Sequence, residues 1–116
     1  MHKKQQGGMF TRVFGDSPRN LILEFFLELR ELDFPISTIA RETGLKRATA
    51  YNTMEELISK KFAVPTRKLS GSQLYKLNMQ KPEVKILIEA FNLILADYVK
   101  KVNKKELAVK SAVSIN

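Results

Sequence analysis

Apolar residues recur along this chain at two different periods, and the changes of period divide it into elements. From residue 18 onward, Ile22, Phe25, Phe26, Leu29 and Leu32 lie on one helical stripe, which Leu21, Leu23 and Leu27 broaden well past a single face. A helix apolar around most of its circumference is buried on more than one side, and in a chain this short the second side is expected to be another subunit. Its start is written in GDSPRN. Ser17 is placed to cap, Pro18 suits the first helical position, and Asp16 complements the positive end of the dipole. Upstream, residues 1–9 carry no such pattern and are expected to be disordered, with Met9 an alternative start. Phe10, Val13 and Phe14, at i, i+3 and i+4, predict one apolar turn that packs.

DFPI ends the first long helix, because Pro35 disfavours helix at Phe34 and leaves a short extended piece. Ser37 is expected to cap a short helix over 38–43, with Ile39 and Ala40 inward. Gly44 stops it in a left-handed conformation, and Leu45 fills the corner. A second helix over 47–60 turns Ala50, Met54 and Leu57 to the core, with Ile58 at its edge. FAVPTRK, LSGS and QLYKLN follow as strand, turn and strand, with Tyr75 and Leu77 inward and Lys76 outward. Pro65 has no amide to donate, so its strand must offer an edge there. The last helix opens with Pro82 and Glu83 and carries a main stripe of Val84, Leu87, Ile88, Phe91, Leu95, Tyr98 and Val102. Ile86, Ala90 and Leu93 lie on its far side. Beyond Asn103 a further turn or two through Leu107 and Val109, or fraying, is expected.

The resulting order is α-β-α-α-β-β-α, mainly α with a small β-hairpin, an α+β class. Two short helices joined across a glycine turn and followed by a hairpin make a winged helix-turn-helix. The division is a flexible basic leader at 1–15, the winged helix-turn-helix domain at 16–80, a long C-terminal helix at 81–102 and a basic tail at 103–116. The final helix is too apolar for one small core. A two-fold homodimer contact through Leu23, Leu27, Ile86, Ala90 and Leu93 is therefore expected.

Composition narrows the chemistry. At 116 residues, 44% of them hydrophobic, the chain suits one globular domain. It has no cysteine, and its one histidine, His2, lies in the polar leader. Disulfides, thiol chemistry, a histidine base and the usual metal clusters are thereby excluded, and neither metal nor cofactor is expected. No nucleophile–base pair or glycine-rich phosphate loop appears, and Glu24, Glu28 and Glu31 read as a solvated helix face, so no enzyme is expected. MHKKQQGG is followed by no apolar run of signal-peptide kind, and residues 84–99 are broken by Lys85, Glu89, Asn92 and Asp97. No membrane association is expected, and a reducing cytoplasm is the expected location.

Charge changes the picture most. The net charge is +8, but residues 46–81 hold eight basic and two acidic side chains while residues 16–45 hold three basic and six acidic. Such clustering points to a polyanion, usually nucleic acid. With Ala50, Met54 and Leu57 inside, helical geometry leaves Ala48, Asn52, Glu55 and Ser59 outside, Thr49 and Tyr51 on the flanks, and Lys46 and Arg47 at the tip. Lys46 and Arg47 can reach phosphate or the guanine edge, and Asn52 suits adenine. Thr49 and Tyr51 can meet a phosphate or a thymine methyl, and Ala48 permits close approach. Glu55 and Glu56 repel phosphate and limit the contact to the first two turns. In the hairpin, Arg67, Lys68, Ser70, Gly71, Ser72, Gln73 and Lys76 fit a wing on a minor groove or its phosphates. The plainer reading of these cations is an edge strand guarded against aggregation.

PISTIARETGLKRATAYNTMEELISKKFAVPTRKLSGSQLYKLN resembles the winged helix-turn-helix core of prokaryotic, especially archaeal, transcription regulators of the MarR/ArsR type. The likeness covers about residues 17–100 and rests on IARETGL, RATAYNTMEEL and the ending LYKLN. It implies a recognition helix containing Arg47, Thr49, Tyr51 and Asn52, a wing from Arg67 to Gln73, double-stranded DNA as partner, and a homodimer built from terminal helices. The chain departs from that family in lacking the cysteine and histidine clusters of its metal sensors. It is also short, without obvious room for a small-molecule effector pocket, and Lys46 stands where many relatives have a capping serine. A winged helix used for protein contacts, or for non-specific chromosome packing, is the alternative.

Overall fold

The computed structural model describes residues 7–114, with side chains described through residue 106. The Ser17 hydroxyl accepts from the Asn20 amide at 3.2 Å, capping helix α2 (Pro18–Glu28) as GDSPRN foretells. Every residue from Leu21 to Leu27 in this helix is buried. It packs against α1 (Met9–Phe14), α3 (Ile36–Thr43), α4 (Arg47–Ser59), strand β2 (Ser72–Leu77) and α5 (Pro82–Ser114). The apolar girth of α2 is therefore satisfied within one chain, not by a second subunit. Leu23 and Leu27, expected at a dimer contact, are 5% and 0% exposed in their own core. The helix also stops short of Leu32: Leu29 leaves helical geometry, and Arg30 Nε donates to the Leu27 carbonyl at 3.0 Å.

The expected flexible leader is shorter than 1–15, because Met9–Phe14 forms α1; residues 1–6 lie outside the described part. Of the expected apolar turn only Phe10 packs inward, while Val13 and Phe14 stay exposed. What holds α1 is Glu24, which is not on a solvated face but buried. Its carboxylate accepts from the Gly8 amide at 2.7 Å, the Thr11 amide at 3.1 Å and the Thr11 hydroxyl at 3.3 Å. Amides at a helix start have no partner inside the helix, and here a carboxylate from another helix satisfies them. The approach is close. A Cβ at Gly8 would lie 3.0 Å from Glu24 Oε2, and one at Gly7 only 2.1 Å from Thr11 Oγ1. Glu28 and Glu31 remain exposed as expected.

Strand β1 (Ala63–Leu69) runs antiparallel to β2, joined through Ser70 and Gly71, both at positive φ (51° and 81°), as a tight hairpin turn demands. The register pairs Ala63 with Leu77 and Pro65 with Tyr75, then Lys68 with Gln73, so β1 carries one extra residue between Pro65 and Lys68. The simple alternation expected of QLYKLN is not seen: Leu74 and Leu77 are buried, whereas Tyr75 and Lys76 are half-buried. The extended piece expected at DFPI is a single bridge, in which Phe34 and Tyr75 exchange backbone hydrogen bonds of 2.9 Å each.

Helix α5 runs 33 residues without interruption, so of the two courses expected beyond Asn103 it takes the helical one, as far as Ser114. Residues 103–114 contain no glycine or proline to end it. Val84 and Phe91 sit in the core, with Leu87, Ile88 and Ile94 packed against them. Beyond, the same stripe emerges into solvent at Leu95, Tyr98 and Val102, and the molecule reaches 62 Å along its longest axis. Arg30 lies over the Phe91 ring at 5.6 Å and donates to Asn92 Oδ1 at 3.2 Å, tying α2 to α5.

Replacing Glu24 by alanine would leave the first amides of α1 buried without an acceptor. Urea denaturation is expected to register a loss of about 2–3 kcal/mol, and hydrogen exchange at the Gly8 and Thr11 amides is expected to accelerate.

Candidate nucleic-acid interface

The geometry begins at the corner between α3 and α4. Gly44 adopts φ 77° and ψ 9°, and its amide donates to the Ala40 carbonyl at 3.0 Å, closing α3 with the left-handed residue expected there. Leu45 is buried in the corner. Helix α4 then starts at Arg47, with Lys46 at the capping position and no side-chain cap. Ala50, Met54 and Leu57 are all but fully covered, as their spacing requires. Lys46, Arg47, Ala48 and Asn52 are consequently exposed, Tyr51 is 47% exposed, and Thr49 is half-buried. The first turn carries no acid. Helix α3 itself opens two residues earlier than a Ser37 cap would set it: it begins at Ile36 behind Pro35, without a side-chain cap.

In the hairpin the expected contacts divide into two groups. Lys68, Ser70, Gly71 and Ser72 are exposed at the tip, and Lys76 is half-buried lower down. Arg67 and Gln73 are engaged within the protein. Arg67 Nε donates to Asp33 Oδ2 at 3.0 Å and its Nη2 to Asp33 Oδ1 at 3.2 Å, the two-pronged geometry that suits guanidinium and carboxylate. The Thr66 hydroxyl donates to the same Oδ2 at 2.6 Å. Gln73 Nε2 donates to the carbonyls of Arg67 and Leu74, at 3.1 and 3.0 Å, bridging the bulge. These donors hold the Asp33 carboxyl at about 2, well below its ordinary value, with the Arg67 hydrogen bond the largest cause. Among the described residues, Lys46, Arg47, Lys68 and Lys76 make no ion pair.

Helix α4 and the hairpin border one open cleft of about 270 Å³. Tyr51 of α4 lines it together with Gly71, Ser72, Gln73 and Tyr75 of the hairpin and Pro35, Ile36 and Ser37 at the start of α3. The tip of α4 is neither covered by the hairpin nor folded beneath it. Asp33 and Thr66 carry no signal in the sequence, and Ser37 and Tyr75, read there as a cap and an inward strand residue, line the cleft instead. Nothing local to LDFPI marks Asp33 as the partner of an arginine 34 residues away. Among the dimer residues expected on α5, Ile86 and Leu93 are 64% and 66% exposed and Ala90 is half-buried on the same side.

No protein-family model matches the chain, and no curated protein does. Solved structures do. A mutant of ZitR from Lactococcus lactis in its apo form is 18% identical, with TM-score 0.60 over 86% of this chain and 80% of that one. The homodimeric winged helix-turn-helix DNA-binding domain Mb0332 of Mycobacterium bovis is 17% identical, with TM-score 0.54 over 80% and 81%. The adhesin competence repressor AdcR of Streptococcus pyogenes is 16% identical, with TM-score 0.57 over 83% and 77%. The fold is a winged helix-turn-helix. At such identities the likeness is one of architecture, and the archaeal part of the sequence resemblance gains no support from it. Among the described residues no helix is long and apolar enough to cross a membrane, and no group of side chains could hold a metal ion.

Two outcomes test this corner and the Asp33 pair. Gly44→Ala puts a Cβ on a left-handed residue and is expected to cost about 1 kcal/mol in denaturant unfolding, with Gly44→Asn costing less. Because Asp33 titrates lower folded than unfolded, its stabilising contribution is complete well above its ordinary value of 3.8 and disappears as pH falls from there through about 2. A carboxyl NMR titration of Asp33 is expected to show that low midpoint, and Arg67→Ala to raise it toward the ordinary value.

Proposed function

We propose that the protein is a sequence-specific, double-stranded DNA-binding transcriptional regulator that acts as a homodimer in the cytoplasm, without enzymatic activity of its own. The observation that carries this reading is the bare outer face of α4, cation-tipped and free of acid in its first turn, with Tyr51 on its flank lining one cleft together with the hairpin. A groove of the duplex would receive Lys46, Arg47, Ala48, Thr49, Tyr51 and Asn52, with base edges read by Arg47 and Asn52. The wing would rest on the neighbouring minor groove through Lys68, Ser70, Gly71 and Ser72, with Lys76 behind them. The winged helix-turn-helix regulators of similar architecture, among them a homodimeric DNA-binding domain, support the same reading.

The homodimer reading rests on α5 and α1. Ile86 and Leu93 stand out from α5 on one side, Leu95, Tyr98 and Val102 continue its core stripe into solvent, and Val13 and Phe14 are bare on α1. A two-fold contact over these surfaces would set two recognition helices about 34 Å apart, one turn of the duplex.

Selection from random duplexes by the purified protein is expected to return a two-fold symmetric site. Arg47→Ala is expected to relax the choice at one or two base pairs and cost about 1–3 kcal/mol. With about 6–10 phosphates contacted per dimer, affinity is expected to fall about 10³–10⁵-fold between 50 and 200 mM salt. No duplex binding at low salt would replace this reading by a protein-interaction module. Uniform weakening of all sequences by Arg47→Ala and Asn52→Ala would indicate chromosome packing.

A further inference from the structure

Thr66 and Arg67 are consecutive residues, yet both donate to one carboxylate, that of Asp33, at 2.6 Å and at 3.0 and 3.2 Å. In a regular strand, neighbouring side chains point to opposite faces, so one acceptor could not serve both. The extra residue between Pro65 and Lys68 removes that obstacle, and Gln73 Nε2 closes the gap it leaves by donating to the Arg67 and Leu74 carbonyls. One residue beyond Asp33, Phe34 is bridged to Tyr75 by two backbone hydrogen bonds. The base of the hairpin is thus fastened to the segment ahead of α3 at two adjacent points, one of main chain and one of charge.

Resting on the DNA-binding reading, we propose that Arg67 is a positioning residue of the wing and not one of its phosphate contacts. Held by Asp33, it fixes the angle between hairpin and α4, so that Lys68 and the tip reach the duplex at one set distance. The physical reason is competition for a single guanidinium. Both of its hydrogen-bonding prongs toward Asp33 are in use, and its charge is matched by a carboxylate with only 17% of its side-chain surface exposed. Phosphate reaching for the same two donors would have to displace the carboxylate that already holds them. Lys68, the next residue, is exposed and makes no ion pair among the described residues, which leaves it to release a counterion from the duplex. Discrimination between sequences depends on α4 and the wing docking together, so loosening the wing affects selectivity more than it affects charge.

The experiment measures affinity of the full chain for its selected duplex and for an unrelated duplex across a salt series. Lys68→Ala is expected to reduce the slope of log affinity against log salt by about 0.9 per protomer. Arg67→Ala is expected to leave the slope unchanged while narrowing the ratio between selected and unrelated duplex about tenfold. Asp33→Ala frees the guanidinium, and is expected to steepen the slope by about 0.9 per protomer with the same loss of selectivity. Adding Arg67→Ala to Asp33→Ala restores the slope but not the selectivity. The proposal is overturned if Arg67→Ala flattens the slope as Lys68→Ala does. Should the unaltered protein bind no duplex, the functional reading fails first, and the fastening is judged on the free protein. A slowly exchanging Arg67 Nε–H resonance, lost in Asp33→Asn, upholds it, and absence of that resonance from the unaltered protein removes it.

Discussion

The seating of α4 is the constraint from which the rest of the molecule takes its meaning. Three side chains, Ala50, Met54 and Leu57, hold one edge of this helix against the core, and a single left-handed glycine sets the direction from which it arrives. Helical periodicity then leaves no freedom about what the outer edge displays. Lys46, Arg47, Ala48 and Asn52 face outward because their neighbours are spent inward. A slip of one residue in that seating would turn Met54 outward and bring a charged or polar residue against α2. Core packing and the choice of outward-facing residues are thus one decision made twice.

The acids explain how so basic a surface is achieved without a wholly basic chain. Residues 16–45 are acid-rich, which on sequence alone suggests an acidic surface region beside the basic one. Two of those acids are turned upon the protein's own donors. Glu24 closes the start of α1, and Asp33 fastens the base of the hairpin. Each carboxylate is used where backbone or guanidinium groups need an acceptor, and little of either charge faces outward. Among the described residues, the lysines at 46, 68 and 76 have no such engagements. Charge count is therefore a poor guide to charge display, and the display is the more favourable to a polyanion.

Much of this was legible from residue spacing. The cap at Ser17, the stop at Gly44, the inward trio of α4 and the turn at Ser70 and Gly71 are all consequences of local chemistry, which a linear reading captures. The misreadings share a different cause. Glu24 read as solvated because its partners are 13 and 16 residues away, and Gly7 and Gly8 resemble a linker until the carboxylate beside them is seen. Arg67 and Gln73 read as unengaged side chains because neither Asp33 nor the bulge has a local signature. Leu23 and Leu27 seemed surplus because the apolar turn expected at Phe10 to Phe14 was not placed against α2, where α1 lies. Long-range acceptors and small covering elements are what spacing cannot convey.

The stripe along α5 deserves a last consequence. Val84, Ile88, Phe91, Leu95, Tyr98 and Val102 alternate by four and three, one continuous seam, yet its first half is interior and its second half is bare. A rod so divided links the integrity of a single chain to the company it keeps. If two chains share the bare half, each half-seam steadies the other through one unbroken backbone, and the midpoint of thermal unfolding rises with protein concentration. Resistance to heat would then be a property of how much protein is present, and dilution alone would soften the fold.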